Sequence, residues 1–152
     1  MTVGITTRQY RRSPAETSVA AASVRRGRAT FAVHRSSRTL VHITVTGDVD
    51  ASNGRALAAY VERNTGLSQK LLLDLSAVDF FGSLGFTALC YIRAHCREND
   101  ADWLIVASRP VRRLLSICDR EGRLPVDDGY DPLSKLTSIS ELNSGRLSRM
   151  SR

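Results

Sequence analysis

The chain has 152 residues, 42% of them apolar, which suits one domain around one buried core. Its 22 basic and 15 acidic residues give a formal net charge of +7, which taken whole suggests a polyanionic partner. Taken by segment, residues 1–30 carry a net +5, residues 143–152 a net +3, and residues 31–142 a net −1. No stretch nears the ~20 apolar residues of a membrane span. The first 30 residues lack the ~7–15-residue apolar core of a secretory leader. Three cysteines, Cys90, Cys96 and Cys118, stand at unpaired spacings and make no disulfide framework. A cytoplasmic protein without a membrane partner is expected.

Residues 1–30 show no hydrophobic period. Arg11-Arg12-Ser13-Pro14 and Arg25-Arg26-Gly27-Arg28 are charged and rich in breakers, which predicts a basic, disordered N-terminal tail. Phe31–His34 reads as a short edge strand. Thr39–Thr46 is β-branched and partly alternating, a strand ended by Gly47-Asp48-Val49-Asp50. Ser52 or Asn53 is a good N-cap for an amphipathic helix over 53–63, with Ala56, Leu57, Tyr60 and Val61 at helical spacing. Lys70–Leu75 is a nearly continuous apolar run of strand length, the pattern of a strand covered on both faces.

Val78-Asp79-Phe80-Phe81 leads into the loop Gly82-Ser83-Leu84-Gly85, and a long helix follows to about Glu98. Leu89, Ile92 and Cys96 share its buried stripe; Phe86, Cys90, Arg93 and Arg97 share the opposite one. Phe86 then either faces outward beside the loop or tucks under a neighbouring segment. Trp103–Ala107 is another buried strand. Ser108 caps a further helix with Pro110 in its first turn and Val111, Leu114, Leu115 and Cys118 on its core face. Cys96 and Cys118 thus read as small core residues. Leu124-Pro125-Val126 reads as a short last strand. Leu133, Leu136, Ile139 and Leu142 predict a terminal helix ended by Asn143-Ser144-Gly145, with a short basic tail over 143–152. Repeated β–α alternation predicts an α/β fold: a mixed, mainly parallel central sheet of about four to five strands with about four helices packed against it.

Three stretches, in this order and spacing, resemble the STAS domain of bacterial anti-sigma factor antagonists over about residues 31–142. Gly47-Asp48-Val49-Asp50 is similar to the family's segment between its second strand and first helix. Leu71–Gly85 is similar to its buried strand and phosphoacceptor loop, and Ser108–Leu115 to the opening of its third helix. In typical members the loop reads Asp-Ser-Ser-Gly or Asp-Ser-Thr-Gly, and the serine after the Asp is phosphorylated by an anti-sigma factor kinase. Here Gly82 stands for that Asp, Ser83 matches the phosphoacceptor, Leu84 replaces the second hydroxyl residue and Gly85 is kept. The resemblance implies partner contacts through Asp48, Asp50, Gly82, Ser83, Leu84, Gly85 and Phe86.

Ser83 opens a helix, where unpaired N–H groups and the positive end of the helix dipole favour an anion. A phosphate there would bring roughly −1.5 to −2 charges to the surface. The plain alternative is an N-cap, worth on the order of 1 kcal/mol. Asp48 and Asp50 either meet cations of a partner or serve turns and caps; Asp50 is expected to do mostly the latter, with Asp48 the more exposed. Cys90, His95 and Cys96 lack the spacing of a metal site. No P-loop, Gly-x-Ser-x-Gly elbow or His-Glu-x-x-His motif occurs, so a non-enzyme without cofactor is expected.

Three functions fit. The first is an anti-sigma factor antagonist that binds an anti-sigma factor, of the serine-kinase kind in typical members, and frees a sigma factor to raise transcription. The second is a STAS adaptor that is not phosphorylated, favoured by Gly82 and Leu84. The third is weak nucleic-acid binding through the Arg-rich ends; no recognition helix supports specific readout of DNA.

Overall fold

The computed structural model describes residues 22–67, 69–127, 132, 135 and 136. In chain order the elements are β1 (Ala22–Arg26), β2 (Ala29–Arg35), β3 (Leu40–Val49), α1 (Gly54–Asn64), β4 (Lys70–Phe81), α2 (Ser83–Glu98), β5 (Asp102–Ala107), α3 (Arg109–Cys118) and β6 (Val126–Asp127). The strands form one sheet in the order β1-β2-β3-β4-β5-β6. Short turns join β1 to β2 and β2 to β3, so those pairs are antiparallel. Helical crossovers α1 and α2 make β3–β4 and β4–β5 parallel, and β5–β6 is parallel across α3.

Alternation decides which face each strand buries. Phe31, Val41, Ile43, Val45, Leu71, Leu73, Leu75 and Ile105 point to one face of the sheet. Leu57 and Val61 of α1, Leu89 and Ile92 of α2, and Val111 and Leu115 of α3 close over them. Each such fully buried side chain contributes roughly 1.5–3 kcal/mol of burial. Leu72 and Leu104 point the other way and are covered by Leu136, itself 1% exposed. The remaining positions of the predicted terminal helix, and both outer ends of the chain, lie outside the described residues.

The sheet has six strands where four to five were expected, and three helices stand among the described residues. The extra strand is β1, in a stretch read as disordered tail. Its exposure explains the miss: only Val24 is half-buried, and the other four positions face solvent. What holds β1 is main-chain pairing to β2 and a 3.0 Å hydrogen bond from the Tyr60 hydroxyl to the Ala22 carbonyl. Consequently β2, expected at the edge, lies inside the sheet.

A second correction concerns Cys118, expected in the core and found exposed. The last turn of α3 passes beyond the sheet, so its covered side ends at Leu115. Cys96 is buried as expected, and burial pushes its thiol up to about 12.

Strand β4 runs six residues past the apolar stretch that announced it. Two register shifts against β3 each place an extra residue in β4. At the first, Asp74 Oδ1 accepts bonds from Ser76 N–H (2.9 Å) and Oγ–H (2.6 Å). The second falls at Asp79, between the pairs Gly47–Val78 and Asp48–Phe80.

Candidate partner-binding rim

The bulged end of β4 carries the Ser83 loop to the end of β3. Val49 pairs with Phe81, and the Gly82 N–H donates to the Val49 carbonyl at 2.9 Å. This sets Asp48–Asp50 and Gly82–Gly85 side by side on one rim. The start of α1 joins them: a Cβ on Gly54 would come within 2.8 Å of the Leu84 carbonyl oxygen.

Ser83 does not cap its helix. The N-cap position is Gly82, in extended backbone, and Ser83 is the first helical residue. Its side chain is exposed, and among the described residues its hydroxyl has no hydrogen-bond partner. Its carbonyl accepts from Thr87 Oγ1 at 3.2 Å. Ser83 lies between two apolar side chains that reach into water, Phe80 at 53% and Leu84 at 40% exposure. Asp79 is also exposed.

The aromatic residue at this surface is therefore Phe80. Phe86 is half-buried and packs on the core. It lines a groove of about 470 Å³ with Cys90 and Arg93 of α2 and Ile117, Cys118 and Leu124 from α3 and beyond. Of the two placements open for Phe86, tucked is the one observed, against the end of α3. The doublet Phe80-Phe81 held the missing signal. In a strand one member of such a pair faces in and the other out; Phe81 is 4% exposed, so Phe80 is the outward one.

Two glycines shape the loop by close approach. A Cβ on Gly82 would lie 3.2 Å from Phe80 Cε2, so the ring rests where an acidic side chain would leave the backbone. A Cβ on Gly85 would lie 2.7 Å from Phe81 Cε1 and Cζ, inside the core. The helix thus sits against Phe81 at a distance only glycine allows.

The acidic segment divides as expected in one respect. Asp50 serves its own turn: its carboxylate accepts from Ser52 Oγ–H at 2.6 Å and Ser52 N–H at 2.9 Å. These bonds lower its pKa, with Arg28 adding to the effect. Asp48 lies 3.7 Å from Arg28 Nε and is partly shielded, with 29% of its side chain accessible. The residue that binds the rim together is Asn53, 1% exposed. It stands at the N-cap position of α1 yet makes no cap bond. Its Oδ1 accepts from the Asp50 N–H (2.9 Å), and its Nδ2 donates to the carbonyls of Asp48 (2.9 Å) and Arg26 (3.1 Å). Ser108 likewise holds the N-cap position of α3 without a cap bond.

Residues 31–128 match the STAS domain family. The chain belongs to that family. The match begins inside β2, so β1 and the β1–β2 turn precede it. Osmosensory protein A of Mycobacterium tuberculosis is 32% identical over 79 residues, 51% of this chain and 50% of that protein. The chain thus spans about half the length of this curated relative. An anti-sigma factor antagonist from Mycobacterium paratuberculosis superposes with TM-score 0.56 at 24% identity, over 72% of this chain and 94% of that one. The anti-sigma factor antagonist SpoIIAA, in its unphosphorylated form, does so with TM-score 0.58 at 11% identity, over 71% and 96%. At these identities the likeness is one of fold. Within the STAS fold seen here, the rim gathers an exposed hydroxyl, two exposed apolar side chains and three aspartates on one edge of the sheet.

Proposed function

We propose that this STAS protein is an anti-sigma factor antagonist whose rim, from Asp48 to Asp50 and from Asp79 to Leu84, docks an anti-sigma factor. The observation that carries the reading is the exposed Ser83 set between Phe80 and Leu84. Two exposed apolar side chains beside polar neighbours make an interface core with a polar surround. Docking frees a sigma factor, and transcription rises without contact between this protein and DNA.

The same geometry gives phosphorylation a physical effect. A phosphate on Ser83 would carry roughly −1.5 to −2 charges into the middle of the apolar contact. A docked partner would have to desolvate it, beside Asp48 and Asp79. The fold itself would lose nothing, because the hydroxyl holds no part of it together. The unmodified loop docks and the modified loop is refused.

A second reading, a STAS adaptor that is never phosphorylated, is favoured by the Phe80 ring lying against Gly82. The ring takes the space of the acidic neighbour found in typical phosphoacceptor loops. Pull-downs of anti-sigma factors with wild type, Ser83→Ala and Ser83→Glu test the switch. Wild type and Ser83→Ala are expected to bind and Ser83→Glu to fail. Equal binding by Ser83→Glu to every cognate partner refutes it. Intact mass after incubation with the captured partner and ATP separates the two readings: gain of one phosphoryl group supports the switch, and no gain supports the adaptor.

A further inference from the structure

Three of the six arginines in residues 1–30 are built into the folded domain at the turn between β1 and β2. Arg25, Arg26 and Arg28 are all exposed, and Arg28 keeps 79% of its side chain in water. Three like charges on one tip repel each other. Their placement is imposed by the backbone, through bonds in which their guanidinium groups take no part. Asn53 Nδ2 holds the Arg26 carbonyl, and the Asp48 N–H donates to the Arg28 carbonyl at 3.0 Å. Gly27 turns the chain at φ +58, and a Cβ there would meet Ser52 Oγ at 2.8 Å. Gly47, at φ +91, lets β3 pass against the Arg28 carbonyl. The tip is thus pressed onto the segment Asp48–Asn53, and through Gly54 and Leu84 that segment reaches Ser83. Arg28 faces Asp48 loosely at 3.7 Å; among the described residues Arg25 and Arg26 meet no carboxylate. The Arg26 guanidinium donates to the Arg25 carbonyl at 3.0 Å.

We propose that the Arg25–Arg28 turn is the basic wall of the docking rim, and that the anti-sigma factor presents an acidic segment to it. This rests on the reading of the rim as the anti-sigma site. The turn lies outside residues 31–128, the stretch that matches the STAS family. Beside Asp48, Asp50 and Asp79 it makes the rim bipolar, positive at the hairpin and negative towards the loop. A bipolar rim fixes the orientation of an incoming partner, and it rejects surfaces that match only one pole. Charges of this exposure act on encounter, so their mark is on the association rate and its salt dependence.

The experiment uses the full chain and, as probe, the purified anti-sigma factor that wild type captures. Arg25→Glu/Arg26→Glu/Arg28→Glu is compared with a control that alters the outer tail, Arg8→Ser/Arg11→Ser/Arg12→Ser. Both are expected to melt within a few degrees of wild type, since the anchoring bonds of the turn are main-chain. The turn variant is expected to associate about tenfold more slowly at low salt, with dissociation changed less, and to lose most of the wild-type salt dependence. The tail control is expected to associate within about twofold of wild type. Association of the turn variant within twofold of wild type at every salt concentration overturns the wall and leaves the rim standing. Failure of wild type to capture any anti-sigma factor overturns both. A turn variant that loses retention on duplex DNA while binding the protein probe normally also overturns the wall, in favour of a nucleic-acid contact.

Discussion

Asn53→Ala should be among the most damaging single changes at the rim, although no apolar group is removed from the core. The side-chain amide of Asn53 makes three hydrogen bonds to main-chain groups of three different residues. Truncation leaves the Asp50 N–H and the Asp48 and Arg26 carbonyls to find water. Arg26 lies in an exposed strand and can do so readily, for a loss of about 0.5 kcal/mol. Asp48 and Asp50 are half-buried, and each unmade bond there costs about 1 kcal/mol. The total is about 2–3 kcal/mol. The usual loss of an N-cap does not enter, because the side chain makes no cap bond. With an m-value of about 1.5 kcal/mol/M, the urea midpoint falls by roughly 1.3–2 M. Asn53→Asp sharpens the test. It keeps an acceptor for the Asp50 N–H but turns a carboxylate oxygen on two carbonyl oxygens. It should be less stable than Asn53→Ala at pH 7, and recover as pH falls towards about 4 and the carboxyl regains a proton to donate. Urea titrations at both pH values decide. A midpoint shift under about 0.3 M for Asn53→Ala, or an Asp variant more stable than the Ala variant at pH 7, would refute the account of Asn53 as the clamp.

Four further outcomes are expected. Gly85→Ala gains up to about 1 kcal/mol of helix propensity but drives a methyl into the buried Phe81 ring, an overpacking cost of about 1–3 kcal/mol, so urea unfolding should show a net loss. Gly82→Asp displaces only the exposed edge of the Phe80 ring, so stability should change by less than about 1 kcal/mol while affinity for the partner falls, as read by calorimetry. Asp74 is held at about 2, first by the His42 ring across from it and then by the Ser76 bonds, against the opposing effect of burial. At 3.7 Å the His42 contact is too long for a direct hydrogen bond, so the Ser76 bonds at 2.6 and 2.9 Å hold the carboxylate in place. A lowered carboxylate pKa stabilises above the unfolded value near 4 and loses that contribution as pH falls to about 2, so the deficit of Asp74→Asn at pH 7 should shrink over that window. Cys90 and Cys118 should take up a thiol reagent in the native state, with Cys96 modified only on unfolding, as peptide mass mapping would show.

How much of this was legible depended on where side chains point. The strands around Ile43, Leu73 and Ile105 and the stripe of Leu89 and Ile92 announce themselves, because burial on a regular element repeats with a fixed period. Strand β1 does not, because four of its five side chains face water and main-chain pairing leaves no mark on residue type. Cys118 continues the apolar spacing of α3 but overshoots the sheet that spacing was meant to cover. Asn53 looks like an ordinary cap in the sequence. Only the approach of the β1–β2 turn from 27 residues away converts its amide into a clamp.

The end of β4 shows why local pattern and local structure part company at the rim. Strict alternation from Leu75 would turn Ala77 and Asp79 into the core and Val78 into water. An ionised carboxylate buried there without a partner would cost several kcal/mol. The first bulge shifts the phase, so Val78 goes in, at 2% exposure, and Asp79 stays out. Left alone, that shift would bury Phe80 and expose Phe81. The second bulge, at Asp79, shifts it back, which buries Phe81 under Gly85 and leaves Phe80 outside beside Ser83. The pair of irregularities therefore places an acid and an aromatic ring next to each other on the solvent side, an arrangement regular pairing cannot give to consecutive residues. Two neighbours facing the same way are of no use to a core that needs only one of them. They suit a surface on which an apolar contact and a charge must meet the same partner, and this is the physical ground for reading the rim as a docking site.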